Sequence, residues 1–455
     1  MKQSVDLIIE ARWLLPIVPR QILQEHKAVV IHSGKIIDIC SFDEAAERYQ
    51  FKERIELTEH VLMPGLINLH AHAAMNLMRG LADDLPLMPW LEQHIWPAEK
   101  KLLSAHFVHD GTLLACAEML SGGVTTFNDM YFYPVDAAEA ALKIGMRANL
   151  GLVVLEFPTQ YANDAESYID KGTQARDHLK NNPMISFSFA PHAPYTVSDS
   201  TFQQINIISA QLNIGLHIHL HETQNEIVES EQKYGMRPLA RLEKLGLLDS
   251  TTTFAHCVHL NELEIQLLAE HGCSIAHCPT SNLKLGSGIA PIADCASQSI
   301  NIGLGTDSAA SNNRLDLFAE VRMAALLAKG SSHDATAISA FEALEMATIN
   351  GAKALNLEEK IGSIEKGKLA DLTAVKLSDI HLQPCFDPVS HLVYVAGREQ
   401  VSHVWVNGNL TYYKPNSSAG VYSHIEPQEL ADIVAKWQDK LTEFRVTATE
   451  PAFNK

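Results

Sequence analysis

The amino-acid sequence predicts an α/β fold, a (β/α)8 TIM barrel with a small β-sandwich domain built from both chain ends. Through the middle of the chain, eight short apolar runs alternate mostly with segments of helical periodicity, which is the count for such a barrel. Strand-like alternation of apolar and polar residues occurs near both termini. Histidines and one aspartate stand at the ends of several runs, and in a barrel these ends converge on one mouth.

Length and composition limit the classes of protein that fit. With 455 residues, the chain is too long for one ordinary core, so we expect one large and one small domain. Its 46% hydrophobic and 20% charged residues are typical of a soluble globular protein. A net charge of −19 argues against nucleic-acid partners, which need clustered Lys and Arg, and a small-molecule substrate fits better.

Targeting and cysteine patterns favour the cytoplasm. Asp6, Glu10 and Arg12 interrupt any apolar segment that could act as a signal peptide, and no uncharged apolar run is long enough to cross a bilayer. The seven cysteines are scattered, odd in number and without a C-x-x-C pair, as expected of reduced thiols in a protein core. We therefore expect a cytoplasmic protein without membrane partners, and these features are compatible with a homo-oligomer.

The two ends of the chain are expected to pair into the small domain. Residues 27–39 alternate apolar and polar residues around Ser33, Gly34 and Lys35, which is the signature of a hairpin. A matching pattern returns only at residues 370–375 and 401–413, with a tight turn at Asn407-Gly408. The predicted units are a composite β domain of residues 1–60 and 361–420, a barrel of residues 61–360, and a C-terminal helix and tail of residues 421–455, with the helix at 427–444 and a polar end that frays.

The barrel strands are predicted from short apolar or β-branched runs. Most segments between them have helical periodicity, as in residues 260–272, where leucines and an isoleucine mark one face and Gly272 ends the helix. The predicted strands are residues 66–70, 125–129, 147–154, 185–192, 215–221, 252–257, 274–279 and 301–307.

The first candidate metal ligands are His70 and His72. They lie two residues apart, and on a strand this spacing puts both imidazoles on one face. A lone pair of this kind is more often two satisfied polar side chains at a strand end. The metal interpretation therefore depends on histidines further along the chain.

A second histidine cluster lies in residues 215–222. His217, His219 and His221 share one strand face, so spacing alone does not say which of them reaches a metal. Glu222 would face the opposite side if the strand continued. For this glutamate to join the site, the chain must turn at the strand end.

Two further strand ends carry single candidates. A lone histidine such as His256 is more often structural, and Asp307, which follows Gly303 and Gly305, could equally cap the next helix. Four such elements at the mouth of one barrel are harder to dismiss together. Three histidines and one aspartate leave a coordination position open for water, as in catalytic zinc sites.

With these motifs in view, the chain resembles the metal-dependent amidohydrolase superfamily over essentially its whole length. The matching segments are PGLINLHAH at 64–72, HLHE at 219–222, AHC at 255–257, GTDS at 305–308 and the late segment 362–372 that leads back to the small domain. Within this superfamily, segments 281–291 and 305–313 look most like the 5′-methylthioadenosine/S-adenosylhomocysteine deaminases.

The resemblance implies a role for each candidate. Matching positions are metal ligands at His70, His72, His219 and Asp307, a general acid/base at Glu222, a histidine that orients the hydroxide at His256, and substrate contacts at Glu99, His192, Glu222 and Asp307. Glu99 would accept hydrogen bonds from both ribose hydroxyls, although beside Lys100 and Lys101 it could also be a solvated helix carboxylate. His192 would contact the purine ring.

One divalent metal ion per subunit is expected, and zinc is the first candidate. Binuclear members of the superfamily use a modified lysine from the fourth barrel strand, but no lysine lies between Lys143 and Lys171 or between Lys180 and Lys233. Some members also place two arginines near the substrate after the third strand. Arg147 could be the first of these, and no arginine follows it until Arg176.

The predicted function is hydrolytic deamination of the adenine ring in 5′-methylthioadenosine and S-adenosylhomocysteine by a metal-activated water. A deaminase or chlorohydrolase of guanine, a pterin or a triazine would keep the same metal site, but would have no use for a ribose-binding Glu99. A non-enzymatic scaffold is disfavoured because the ligand set is complete. Cytidine- and tRNA-type deaminases are excluded because the combination of H-x-E with P-C-x-x-C, which those enzymes use, is absent. Residues 75–91, rich in Met and Leu, are predicted to form a lid or pocket wall, with core packing as an equal alternative.

Overall fold

Two eight-stranded sheets organise the chain in a computed structural model that describes residues 2–415 and 419–445. The strands are β1 Gln3–Leu14, β2 Gln24–His32, β3 Lys35–Ser41, β4 Tyr49–Pro64, β5 Leu66–Ala71, β6 Val124–Asp129, β7 Arg147–Val154, β8 Ile185–Pro191, β9 Gly215–Leu220, β10 Thr252–His256, β11 Ser274–His277, β12 Asn301–Leu304, β13 Leu372–Lys376, β14 Val401–Val406, β15 Asn409–Tyr413 and β16 Val421–Tyr422.

Helices connect and cover these strands. The α-helices are α1 Phe42–Arg48, α2 Leu87–Trp90, α3 Trp96–Leu102, α4 Ala105–Ser121, α5 Pro134–Ile144, α6 Ala165–Leu179, α7 Asp199–Leu212, α8 Gln224–Tyr234, α9 Pro238–Lys244, α10 Glu262–His271, α11 Pro279–Lys284, α12 Ile292–Ser297, α13 Leu317–Ser332, α14 Ala340–Met346, α15 Ile349–Ala354, α16 Pro388–Tyr394 and α17 Pro427–Leu441. A π-helical turn, Leu91–Ile95, joins α2 to α3, and 3-10 turns lie at Ala73–Met78, Ile380–Leu382, Arg398–Gln400 and Thr442–Phe444. Among the described helices, none combines the length and apolar character needed to cross a membrane.

Strands β5 to β12 form the predicted parallel barrel. They are hydrogen-bonded in sequence order, each parallel to the next. The barrel closes between its first and last strands, because the Asp307 N–H donates to the His70 carbonyl at 2.9 Å and the Thr306 N–H donates to Asn68 Oδ1 at 3.0 Å. The predicted count of eight strands is confirmed, and several strands end one to three residues before their predicted limits because the chain turns there.

Two glycines let the last barrel strand approach the first. A Cβ on Gly303 would lie 2.5 Å from Leu69 Cδ2, and one on Gly305 would lie 2.7 Å from His70 Cβ. Close packing therefore requires glycine at both positions, since any side chain would push β12 away from β5.

Both chain ends share the second sheet, as predicted. Its strand order is β16-β15-β14-β13-β4-β1-β2-β3, so the N-terminal and C-terminal strands meet where β4 pairs with β13. The predicted hairpins are also present, β2–β3 around Gly34 and β14–β15 around Gly408, and both glycines have the left-handed φ values that tight hairpin turns require. The domain bounds at residues 60, 361 and 420 remain a proposal. In the structure, β4 of the second sheet continues to Pro64, and its last strand, β16, begins at Val421.

Local signals explain the helix ends that the sequence predicts. Helix α10 begins with a capping box between Asn261 and Glu264 and ends at Gly272 in the left-handed conformation.

Helix α17 packs Trp437 edge-on against Phe107 of α4, with ring centroids 5.2 Å apart. The polar tail expected to fray lies at residues 446–455, outside the described residues. All seven cysteines are free thiols, and six of them are buried.

Candidate active site

A cavity of about 550 Å³ opens at the C-terminal ends of the barrel strands. Its inner end is formed by polar side chains that follow different strands, and its outer end by residues 87–103 and 153–160. The predicted site residues that line it are His72, Glu99, His192, His219, Glu222, His256 and Asp307. His70, which is fully buried, lies directly beneath them.

Three imidazoles and one carboxylate converge at the inner end. His70 Nε2 lies 3.3 Å from His219 Nε2 and 3.5 Å from Asp307 Oδ1, and His72 Nε2 lies 3.3 Å from the same oxygen. The ligand atoms of His70, His72 and His219 are within 4.8 Å of one another, as are those of His70, His256 and Asp307. These are the nitrogen and oxygen donors that zinc prefers, on four side chains that face one point.

The backbone turns at each of the three later strand ends. His221, His256 and Asp307 all have left-handed φ values, of 52°, 72° and 59°. This conformation is uncommon for residues other than glycine and is found mainly at turns and functional sites. At His221 it provides the turn that the sequence required, so Glu222 points into the cavity rather than to the opposite side of the strand.

Three of the four donors are held in the forms that bind a metal ion. The fourth, His72, differs, because burial acts to lower its pKa but the hydrogen bond with Asp307 outweighs burial and raises the pKa above its ordinary value. Burial lowers the pKa of His70 to about 4 and the pKa of His219 well below its usual value, so both rings are neutral near pH 7. Burial alone would raise the pKa of Asp307, but hydrogen bonds with His70 and His72 outweigh it and hold the pKa well below its ordinary value. The Asp307 side chain is therefore a carboxylate.

Neighbouring groups fix the orientation of these ligands. His72 Nδ1 lies 2.7 Å from the Met130 carbonyl and donates to it, which leaves Nε2 free to face the cluster. Asp307 Oδ2 accepts hydrogen bonds from the hydroxyls of Ser281 at 2.6 Å and Ser311 at 2.8 Å. Only the other carboxylate oxygen of Asp307 is left to face the histidines.

The structure separates the three histidines of β9 and its end. His219 joins the cluster, whereas His217 lies behind it, with Nε2 3.0 Å from His70 Nδ1. Asn128 Nδ2 lies 3.1 Å from the other ring nitrogen of His217 and also donates to the Leu69 carbonyl. His221 lies outside the cluster, and its Nε2 accepts the Leu239 N–H at 3.3 Å.

Glu222 and His256 face each other beside the cluster. His256 Nε2 lies 3.8 Å from Glu222 Oε2, and its Nδ1 lies 2.8 Å from Asn282 Oδ1, which accepts its proton. Burial raises the pKa of Glu222, so this side chain is poised to carry a proton. The backbone N–H of Glu222 is held by Glu226 Oε2 at 2.9 Å.

Two predicted substrate contacts lie further out. Glu99, on α3, faces the cavity and accepts a hydrogen bond from the Tyr131 hydroxyl at 2.6 Å, and burial raises its pKa to about 7. It is therefore not a solvated helix carboxylate. The His192 ring centroid lies 4.7 Å from that of His219, and burial lowers the His192 pKa to about 3, so this ring is neutral.

Arg147 does not line the cavity. It begins β7, at the opposite end of the barrel, where its guanidinium is buried and pairs with Asp371 of the small sheet at 2.9 Å. Within the described lining, no arginine replaces it. The predicted lid segment does contribute to the wall through Met75, Leu87 and Trp90, which are also buried, so the wall and core-packing interpretations both hold.

Several side chains that support the site were not predicted from the sequence. Tyr131 follows β6, Ser281 and Asn282 follow β11, and Ser311 follows β12. Each lies within seven residues of the end of a barrel strand, so position was a signal. Single hydroxyl and amide residues are too common in turns for that signal to stand out.

Comparisons with known proteins agree with this geometry. Residues 61–411 match the model of the Amidohydrolase family. The chain is 47% identical over 407 residues to the 5-methylthioadenosine/S-adenosylhomocysteine deaminase of Saccharophagus degradans, covering 90% of this chain and 91% of that protein.

Solved structures give a similar result. The fold matches a crystal structure of an adenosine deaminase from Xanthomonas campestris with bound zinc, with a TM-score of 0.95, 42% identity, and coverage of 97% of this chain and 100% of that one. It also matches atrazine chlorohydrolase from Arthrobacter aurescens in complex with zinc, with a TM-score of 0.83, 24% identity, and coverage of 96% and 100%. At that identity, the second likeness concerns the fold alone.

Proposed function

Because the chain belongs to the amidohydrolase family, we propose that it removes the C6 amino group of 5′-methylthioadenosine and S-adenosylhomocysteine by hydrolysis. The observation that carries this proposal is Glu99. Its carboxylate lines the same cavity as the metal-ligand cluster, and it can accept hydrogen bonds from two vicinal hydroxyls. A substrate that spans both features has a reactive ring at one end and a ribose next to it.

The chain is a zinc-dependent hydrolase in this account. His70, His72, His219 and Asp307 would hold the ion, since their donor atoms converge and the three ring nitrogens are free to bind. A bound zinc ion supplies a Lewis acid that makes water nucleophilic at neutral pH. The remaining proton transfers and substrate contacts belong to the protein's own side chains.

Glu222 is assigned the role of general acid and base. In its protonated form it donates to N1 of the adenine ring, which makes C6 electrophilic toward water. One water proton passes to the Asp307 carboxylate and from there to the leaving nitrogen, so that ammonia departs. The other water proton returns to Glu222 as the C6 hydroxyl becomes a carbonyl, which completes the balance and leaves the inosine analogue.

The other contacts position the reactants. His256, fixed by Asn282, orients the attacking water through Nε2. His192 is neutral and can hydrogen-bond to a purine nitrogen. Glu99 holds the ribose.

The alternative is a deaminase or chlorohydrolase of a heterocycle without ribose. Such an enzyme would share the metal site, and the likeness to atrazine chlorohydrolase at 24% identity concerns only the fold. In that case Glu99 and Tyr131 would be a partly buried polar pair without a ligand to recognise. We therefore favour the nucleoside.

The experiment that tests this proposal is an absorbance assay of the zinc-loaded protein with 5′-methylthioadenosine, S-adenosylhomocysteine, adenosine and guanine side by side. The expected result is the adenine-to-hypoxanthine change together with equimolar ammonia from a thio-nucleoside. Turnover of guanine alone would overturn the proposal. So would a lack of turnover of both thio-nucleosides by protein that has bound zinc.

The role of Glu222 is tested by Glu222→Gln. The amide cannot shuttle a proton, so we expect the turnover number to fall on the order of 10²-fold or more while zinc binding is retained. Glu229→Gln is the matched control, because Glu229 is exposed on α8 and contacts only Asn225 among the hydrogen bonds described. A Glu222→Gln variant with a near-normal rate would contradict the assignment.

A further inference from the structure

The outer end of the cavity has mainly apolar walls. Trp96 and Phe157, from α3 and the loop after β7, meet with their ring centroids 6.2 Å apart. Leu155 lies beside them and is buried, whereas Phe157 keeps 40% of its surface exposed. An aromatic side chain left in solvent at a cavity mouth can be covered by an apolar ligand group.

This apolar end adjoins the ribose position. Trp96 precedes Glu99 by three residues on α3, so the two side chains lie on one face of that helix. Both line the cavity. A group attached to the ribose therefore passes from Glu99 toward Trp96 and Phe157.

Two polar side chains at the outer end, Gln160 and Thr159, already have hydrogen-bond partners in the protein. Gln160 Nε2 donates to the Lys100 carbonyl at 3.1 Å. Thr159 Oγ1 accepts the Tyr168 hydroxyl at 2.7 Å and the Tyr161 N–H at 3.1 Å. A ligand hydroxyl placed here would have to compete for these partners.

The charge of the lining also limits what binds at the outer end. Among the described residues that line the cavity, Lys100 is the only lysine or arginine, and it is exposed. An exposed ion pair contributes little because water screens it. The wall therefore offers a poor site for the carboxylate of an amino acid.

We propose that the outer end of this cavity is a subsite for a small apolar thioether, so that the protein prefers 5′-methylthioadenosine to both S-adenosylhomocysteine and adenosine. This inference rests on the proposed deaminase function. The methylthio group would cover Trp96 and Phe157. The charged amino-acid head of S-adenosylhomocysteine would lie against these rings without a built partner, and the 5′-hydroxyl of adenosine would find the nearby polar groups occupied.

Steady-state kinetics on the zinc-loaded protein test the proposal. We expect kcat/KM for 5′-methylthioadenosine to exceed that for each of the other two nucleosides by about 10-fold or more, the scale of discrimination that a hydrophobic pocket provides. A kcat/KM for S-adenosylhomocysteine or adenosine equal to or above that for 5′-methylthioadenosine would overturn it. Failure of the deaminase function itself is a different result, since none of the three would then release ammonia.

A substitution tests the wall directly. Phe157→Arg replaces an apolar ring of the wall with a charged group, so the methylthio group loses part of its apolar cover. The ratio of kcat/KM for S-adenosylhomocysteine to that for 5′-methylthioadenosine should then rise by about 10-fold, chiefly because the value for 5′-methylthioadenosine falls. Phe157→Leu is the matched control, because it keeps an apolar wall and should keep the ratio of the unmodified protein. An unchanged ratio in Phe157→Arg would contradict the location of the subsite.

Discussion

His217 shows how a residue outside the ligand set can control the site. Its Nε2 lies 3.0 Å from His70 Nδ1, and the far side of its ring contacts Asn128, which is anchored to the Leu69 carbonyl. This contact restricts the rotation of the His70 side chain. The ring nitrogen that faces the cluster is therefore positioned from behind.

We predict that His217→Phe weakens zinc binding by about 10- to 100-fold, the usual effect of removing a group that orients a metal ligand. Competition with a chromophoric chelator measures the dissociation constant. His60→Phe is the control, since this histidine lies in β4 of the small sheet and its Nδ1 has no hydrogen-bond partner. Equal zinc affinity in both variants, with native melting temperatures, would mean that His217 only fills space.

Glu99 gives a pH dependence with a defined direction. Burial raises its pKa to about 7, so the side chain loses its charge as the pH falls through that value. The protonated form accepts hydrogen bonds more weakly than the carboxylate, and each hydrogen bond to a charged group is worth roughly 1.5–3 kcal/mol. We therefore expect kcat/KM for 5′-methylthioadenosine to fall below about pH 7.

The variant Glu99→Gln isolates this group from the others that titrate. Glutamine resembles the protonated acid at every pH, so the advantage of the unmodified protein should be largest above pH 7 and shrink below it. The measurement is the ratio of the two kcat/KM values between pH 5.5 and 8.5. A ratio that does not change with pH would remove the carboxylate from ribose binding.

The resemblance assigned a role to each candidate residue, whereas spacing left some of the candidates undistinguished. Strand periodicity placed His217, His219 and His221 on one face but could not distinguish them. The three rings differ in their neighbours, since His217 contacts Nδ1 of His70, His219 contacts Nε2 of His70, and His221 accepts the Leu239 N–H. The requirement for a turn at His221 did follow from the residues alone. Its left-handed φ of 52° satisfies that requirement.

At the scale of elements, the ends of β9, β10 and β12 do the positioning. A residue with positive φ lies at or within three residues of the end of each strand, namely His221, His256 and Asp307, and these turns direct side chains from three strands toward one point. Sequence periodicity predicted all eight strands but extended several of them into these turns. Hydrophobic patterns persist through a strand end, whereas the change of backbone direction leaves no apolar signature.

The pair Arg147–Asp371 joins β7 of the barrel to the segment before β13 of the small sheet. Both side chains are buried, and Asp371 also accepts the Asn407 N–H at 2.7 Å. We predict that Arg147→Met lowers the free energy of unfolding by about 3–5 kcal/mol, because it leaves the Asp371 charge buried without its partner. Denaturation by urea, followed by circular dichroism, measures the loss.

Lys52→Met is the matched control for this pair. Lys52 forms an ion pair of 2.7 Å with Asp6, but its side chain is largely exposed, so we expect no measurable change in stability. The Arg147→Met protein should also keep the zinc affinity of the unmodified chain, since Arg147 does not line the cavity. A loss of zinc binding without a loss of stability would place this arginine in the site instead.

At the scale of the whole molecule, the two sheets are tied together beside the first barrel strand. The Gly65 N–H donates to the Asp371 carbonyl at 2.9 Å, and Thr373 Oγ1 donates to the Gly123 carbonyl at 2.7 Å. Pairing of the chain ends was predictable because each end carried β patterns without a partner nearby. The continuation of β4 to Pro64 was not predictable, since its last four residues pair with β13 in the small sheet but fall in the segment that the sequence assigned to the barrel.

A zinc titration of the metal-free protein, with ammonia release from 5′-methylthioadenosine as the readout, shows how many metal ions the reaction needs. Activity should rise in proportion to added zinc and level off at one equivalent per chain, because His70, His72, His219 and Asp307 form one set of ligands. Full activity in the metal-free protein, or a rise that continues to two equivalents, would contradict a deaminase that works with a single zinc ion.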